Sequence, residues 1–102
     1  MSDIETILAQ TVGFDWDEHN TSKNVLGHNV SQAEAEEIFF HTPVLLFDDV
    51  KHSEREQRLL LYGSTAADRP LIATFTVRAN RIRVISVRDM SRKERRVYEK
   101  AR

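Results

Sequence analysis

The chain has no cysteine, three glycines and two prolines in 102 residues. The first absence excludes disulfides, thiolate metal sites and cysteine nucleophiles, and it suits a reducing compartment. Glycine and proline are too scarce for flexible or polyproline linkers, and there are no repeats or low-complexity tracts. A single domain follows, at 14–102, behind an N-terminal arm at 1–13. No run approaches the roughly 18–20 apolar residues of a membrane span, and the N-terminus lacks a basic stretch leading into a hydrophobic one. A cytoplasmic protein without membrane contact is expected. Also missing are G-x-S-x-G, a phosphate loop and a dinucleotide fingerprint. His19, His28, His41 and His52 show no metal-ligand spacing, so neither a metal nor another cofactor is expected.

What is present is unevenly charged. The formal net charge of −1 hides a split. Arg78–Arg102 holds ten Lys/Arg against three Asp/Glu, a net of +7, while residues 1–77 carry −8. A basic strand–helix unit on an acidic body favours an anionic partner on one side and permits a basic partner on the other.

The elements follow from periodicity and caps. Residues 1–13 read as a short helix or loose arm, with Ile4, Ile7 and Leu8 at helical spacing. Phe14-Asp-Trp-Asp17 alternates like a short edge strand, and Asp17 is placed to cap a polar helix near 18–27. Ser31 with Glu34 forms a capping box for a second helix, which Pro43 stops. Strands are predicted over Val44–Phe47, Arg58–Gly63, Leu71–Val77 and Arg81–Arg88, with a tight turn at Arg78–Arg81 in which Asn80 takes the unusual backbone angle. Ser91 and Glu94 open a terminal helix over 91–101. The expected fold is α+β: two N-terminal helices, a small antiparallel sheet and a C-terminal helix.

Two groups have chemical potential. On the last strand, strict alternation puts Ile82, Val84, Ser86 and Arg88 on one face and Arg81, Arg83, Ile85 and Val87 on the other. An arginine fork suits a phosphodiester, but periodicity alone favours the other use, structural salt bridges with the acidic half. Arg83 and Arg88 serve one site only if a bulge or the strand end redirects Arg88. The second group, His52-Ser-Glu54-Arg55-Glu56-Gln57-Arg58, offers a proton acceptor, an orienting anion and cations, or else a solvated loop. Asp48 and Asp49 suit a strand-end cap better than paired catalysis. Trp16 is either a base-stacking platform or a core residue, and Tyr98 is a second possible platform, expected half-buried with its hydroxyl at the surface.

Taken together, Phe14-Asp-Trp-Asp17, Asn24, His28-Asn-Val-Ser31, Glu34-Ala35, Phe39, Asp49, His52-Ser53, Glu56, Arg58, Gly63, Ile82-Arg-Val-Ile-Ser86, Arg88, Glu94-Arg95 and Tyr98 resemble the BrnT toxins of bacterial type II toxin–antitoxin systems. That family is related to the RelE ribonucleases. The resemblance runs from Phe14 to about Tyr98. The family usually has lysine where this chain has Asn20 and Gly27, and glycine where it has Asn29.

The resemblance implies a RelE-like fold, endoribonuclease activity without a metal, and a BrnA-like ribbon-helix-helix antitoxin that binds the toxin and represses the operon, so that operator DNA is met only through the antitoxin. On this basis His52 or Glu54 is expected as base or acid, and Arg58, Arg83 and Arg88 as phosphate stabilisers. Lys23 and His28, with Trp16, are expected to position RNA. The alternative is a catalytically weak or inactive toxin-fold binding module that acts with its antitoxin as a DNA-binding repressor complex. A third reading is an interaction domain whose basic helix binds an acidic protein.

Overall fold

The computed structural model describes residues 8–22, 25–27, 29–52 and 55–102, with the backbone alone at His52. Among them lie helix α1 (Gln32–Glu37), strand β1 (Leu45–Asp48), a 3-10 turn (Val50–His52), strands β2 (Leu59–Ser64), β3 (Pro70–Arg78) and β4 (Arg81–Asp89), and helix α2 (Arg92–Lys100). The strands form one antiparallel meander in the order β1-β2-β3-β4. This is the expected α+β arrangement, with its C-terminal helix in place.

Both capping boxes form. The Ser31 hydroxyl accepts from the Glu34 amide, and the Glu34 carboxylate accepts from the Ser31 amide, each at 3.0 Å. Ser91 and Glu94 repeat the pattern at α2. The β3–β4 turn has two left-handed residues, Ala79 (φ 50°) and Asn80 (φ 61°), which matches the twist of a two-residue hairpin.

The sheet has two unlike faces. On the inner face Leu59, Leu61, Leu71, Ala73, Phe75, Val84 and Val87 are almost fully buried. They pack with Ala35 and Ile38 of α1 and with Phe14, Trp16, Leu26 and Phe39. Gly63 permits the closest approach, since a Cβ there would lie 2.6 Å from the Ile38 carbonyl oxygen. On the outer face α2 covers one end only, with Tyr98, Ile72 and Met90 packing beside Leu45, Leu60 and Tyr62. The Tyr98 hydroxyl donates to the Pro43 carbonyl at 2.7 Å and lies 3.1 Å from the Ser64 hydroxyl.

The expected helix near 18–27 is absent among the described residues. Residues 18–22 are turns, and Leu26 bridges in parallel to Val87. Short polar side chains compete here with helical hydrogen bonding. Asn20 Oδ1 accepts from the Asp17 amide at 2.7 Å, and Asp17 Oδ1 accepts from the His19 amide at 2.8 Å. Asp17 therefore caps a turn. Before it, Phe14 bridges in parallel to Ile82, so the N-terminal segment lines the outer edge of β4 at two places. At the second, Val87 N–H donates to Val25 and Gly27 N–H donates to Val87, both at 2.7 Å. Of the expected N-terminal helices, the second is α1. For the arm, residues 1–7 lie outside the described residues, and Leu8 and Ala9 are helical.

Candidate functional site

The outer face owes its character to one irregularity. Along β3 and β4, Thr74 pairs with Ser86 but Phe75 pairs with Val84, which leaves Ile85 as an extra residue. This bulge shifts the phase of the strand. Ile82 and Val84 point inward before it, and Val87 points inward after it. Arg83, Ser86 and Arg88 consequently share the outer face. The expectation that Arg83 lies beside Ile85 and Val87, opposite Arg88, is corrected by the bulge.

Cross-strand pairing arranges the outer face in rows. One row runs Leu45, Tyr62, Ile72, Arg88, and the next runs Phe47, Leu60, Thr74, Ser86. A third pairs Thr76 with Arg83. Arg58 precedes β2, and by two-residue alternation it falls on the side of Leu60. The three arginines thus ring a partly exposed floor of Leu60, Thr74 and Ser86. Arg83 and Arg88 stand about 15 Å apart along the strand, so they flank a stretch of ligand instead of converging on one atom.

Three of the strand arginines, Arg78, Arg83 and Arg88, hold a carboxylate in the fork. Arg83 Nη1 and Nη2 donate to Asp17 at 3.1 Å each, and Nη1 lies 3.4 Å from Asp15. Arg88 donates twice to Glu94 at 2.8 Å. Arg78 pairs with Glu56 at 2.6 and 2.9 Å. The Arg83 side chain is 14% exposed against 45% for Asp17, so the cation is sheltered and its partner is not. The hydrogen bond from Arg88, followed by the Ser91 amide, holds the Glu94 carboxyl down to about 2 against partial burial. Arg83 likewise lowers Asp17, helped by the His19 amide. Arg78 first, with Arg58 nearby, lowers Glu56. Burial and then Glu94 raise the Tyr62 phenol.

Of the residues expected from sequence, Arg83 and Arg88 stand on this face without converging, and Arg58, just ahead of β2, is placed beside them by alternation alone. His52 closes the 3-10 turn that leads from β1 toward β2, with its side chain outside the described set. Glu54, Lys23 and His28 lie outside the described residues. Trp16 sits on the other side of the sheet, against the inner core, where its indole N–H donates to Glu36 at 2.7 Å and its ring stacks on Phe14. Tyr98, expected half-buried with its hydroxyl at the surface, is instead completely buried, because its hydroxyl is taken up by the Pro43 carbonyl and Ser64.

Sequence reasoning missed Phe47 and Tyr62, an edge-to-face pair 5.0 Å apart on the outer face, with Phe47 40% exposed. It also missed Asp17 and Glu94 as arginine partners. The signal for the bulge was present, since apolar residues at 82, 84 and 87 break the two-residue period at Ile85. Among the described residues no three His, Asp or Glu side chains gather as a metal site, and no helix is long and apolar enough to cross a membrane.

The fold and this face define a small α+β domain with an arginine-ringed, half-open sheet. The family of the ribonuclease toxin BrnT, of type II toxin–antitoxin systems, matches residues 16–94, and the chain belongs to that family. No curated protein matches it individually.

Proposed function

We propose that the chain is a metal-independent endoribonuclease with a RelE-like fold that cuts RNA on the outer face of its sheet. The observation that carries this reading is the bulge at Ile85, which brings Arg83 and Arg88 to one face with Ser86 between them. In such a cleavage the 2′-hydroxyl oxygen attacks the adjacent phosphorus and the bond from phosphorus to the 5′-oxygen breaks. A base takes the 2′-proton, and an acid protonates the leaving oxygen. The crowded phosphate gains negative charge that guanidinium forks stabilise. Arg58, Arg83 and Arg88 take that part, and His52 or Glu54 serves as base or acid. Phe47 and Tyr62 offer the stacking surface for a neighbouring base that Trp16, on the inner side, does not. Lys23 and His28 position the flanking RNA.

As a member of a toxin–antitoxin family the chain implies an antitoxin partner. We assign it a BrnA-like ribbon-helix-helix protein that covers the arginine face, silences cleavage and brings the complex to operator DNA.

The test is incubation of the purified, antitoxin-free protein with RNA in EDTA, beside an Arg83→Ala/Arg88→Ala variant. Cutting by the wild type alone supports the assignment. Equal cutting by both misplaces the site. Intact RNA in both tubes, with ribosomes supplied and salt-sensitive binding retained, supports the binding module instead.

A further inference from the structure

Arg78, Arg83 and Arg88 of the sheet are engaged by carboxylates, but the cations of α2 are not. Arg92, Lys93, Arg95, Arg96 and Lys100 are exposed. Among the described residues none of the five makes an ion pair, whereas Arg88 and Arg102 at either end of the helix do. Arg92, Arg96 and Lys100 recur every four residues, about 6 Å apart, and form a line on the side away from buried Tyr98. Lys93 borders that line. Like charges at this spacing repel, and Arg92 and Lys93 also sit in the first turn, where the positive end of the helix disfavours them. Among the described residues no carboxylate pairs with these five cations to relieve the repulsion.

We propose that this stripe is an RNA docking track, separate from the cutting face, that grips the phosphate backbone of substrate extending beyond the scissile bond. The inference rests on the reading of the chain as a ribonuclease. Two features favour a polyanion over an acidic protein. Protein interfaces are built around an apolar core, but the one exposed large apolar side chain on α2 is Val97. A phosphate backbone requires only spaced positive charge. The helix is also fixed beside the site, because Glu94 on one side of it holds Arg88. RNA crossing the sheet past Arg88 therefore continues onto the stripe.

The test compares wild type with Arg92→Gln/Arg96→Gln/Lys100→Gln on a tetranucleotide and on a long single-stranded RNA. None of the three residues belongs to the cutting face, and relief of repulsion leaves the fold intact, as a thermal melt will verify. The variant should cut the tetranucleotide as wild type does. On long RNA its KM should rise roughly tenfold at unchanged kcat, and the slope of log affinity against log salt should shrink by about 2, as expected for three lost phosphate contacts. Unchanged KM and salt slope on long RNA would overturn the track. So would loss of antitoxin binding with RNA binding intact, which would make the stripe a protein-docking surface. Failure of the wild type on every RNA would bring down the ribonuclease reading itself, and is distinguishable because it appears without any substitution.

Discussion

The side-chain amide of Asn20 donates to the carbonyl oxygen of Val84 at 3.2 Å, at the step where β4 changes phase. The same amide donates to the Asp15 carbonyl at 2.9 Å, and Asn20 Oδ1 accepts from the Asp17 amide. Asn20 is 3% exposed, buried between the two places where the N-terminal segment pairs with β4. It satisfies the backbone that the bulge and the loop leave facing each other.

Asn20→Ala should therefore cost about 2 kcal/mol, the range for buried polar groups left without partners. Urea denaturation measures it. A variant as stable as wild type would show that Asn20 does not support the bulge. Because the bulge turns Arg88 to the face that Arg83 already occupies, RNA cleavage should fall together with stability.

Gly27 makes a related close approach. A Cβ there would meet the Val87 carbonyl oxygen at 2.6 Å and Arg88 Cα at 3.2 Å, both backbone atoms of β4. Gly27→Ala must push the segment off the strand, at about 1–3 kcal/mol by analogy with overpacking. The displacement falls beside Arg88, so activity should drop further than thermal stability alone accounts for. Circular dichroism melts paired with cleavage rates test this.

Arg83 is expected to need its fork and not merely its charge. Lysine presents a point charge and cannot make the paired bonds now made to Asp17. Arg83→Lys should lower kcat by roughly a hundredfold while leaving the melting temperature nearly unchanged. Near-normal turnover in the lysine variant would reduce its role to general electrostatics.

Glu94 makes the acid side of the stability profile predictable. Its folded carboxyl titrates near 2, below the ordinary 4.5, so its contribution is fully present above about pH 4.5 and is lost as pH falls toward 2. In Glu94→Gln that portion of the slope should disappear. Stability against pH, measured by denaturant between those limits, should show a flatter acid limb than wild type. An identical limb would mean that the pair with Arg88 does not persist in solution.

Much of the fold was legible because its causes are local. Ser31 with Glu34 and Ser91 with Glu94 mark both helix starts. Short apolar runs mark β1 and β2, β-branched runs mark β3 and β4, and Asn80 marks the hairpin. The helix assigned near 18–27 failed because two forces opposed it. Asp17 and Asn20 bond to nearby backbone, and Val25–Gly27 pairs with a strand some sixty residues later. Of the site, the arginines were legible as candidates and their shared face only as conditional on a bulge, because a single inserted residue reverses every later side chain. The pairing of Asp17 with Arg83, 66 residues apart, has no local signature at all.

The carboxylates in the arginine forks also bear on how such a site lets go. Arg83 and Arg88 are never left as bare guanidiniums, because Asp17 and Glu94 stand within hydrogen-bond reach whenever no other anion does. Binding of a phosphate is then an exchange of one anion for another, and departure of a cleaved strand is the reverse exchange. The waiting carboxylates compete with a bound phosphate and so lower affinity for product as well as for substrate. In a nuclease built on this face, the acidic residues beside the arginines govern turnover as well as grip.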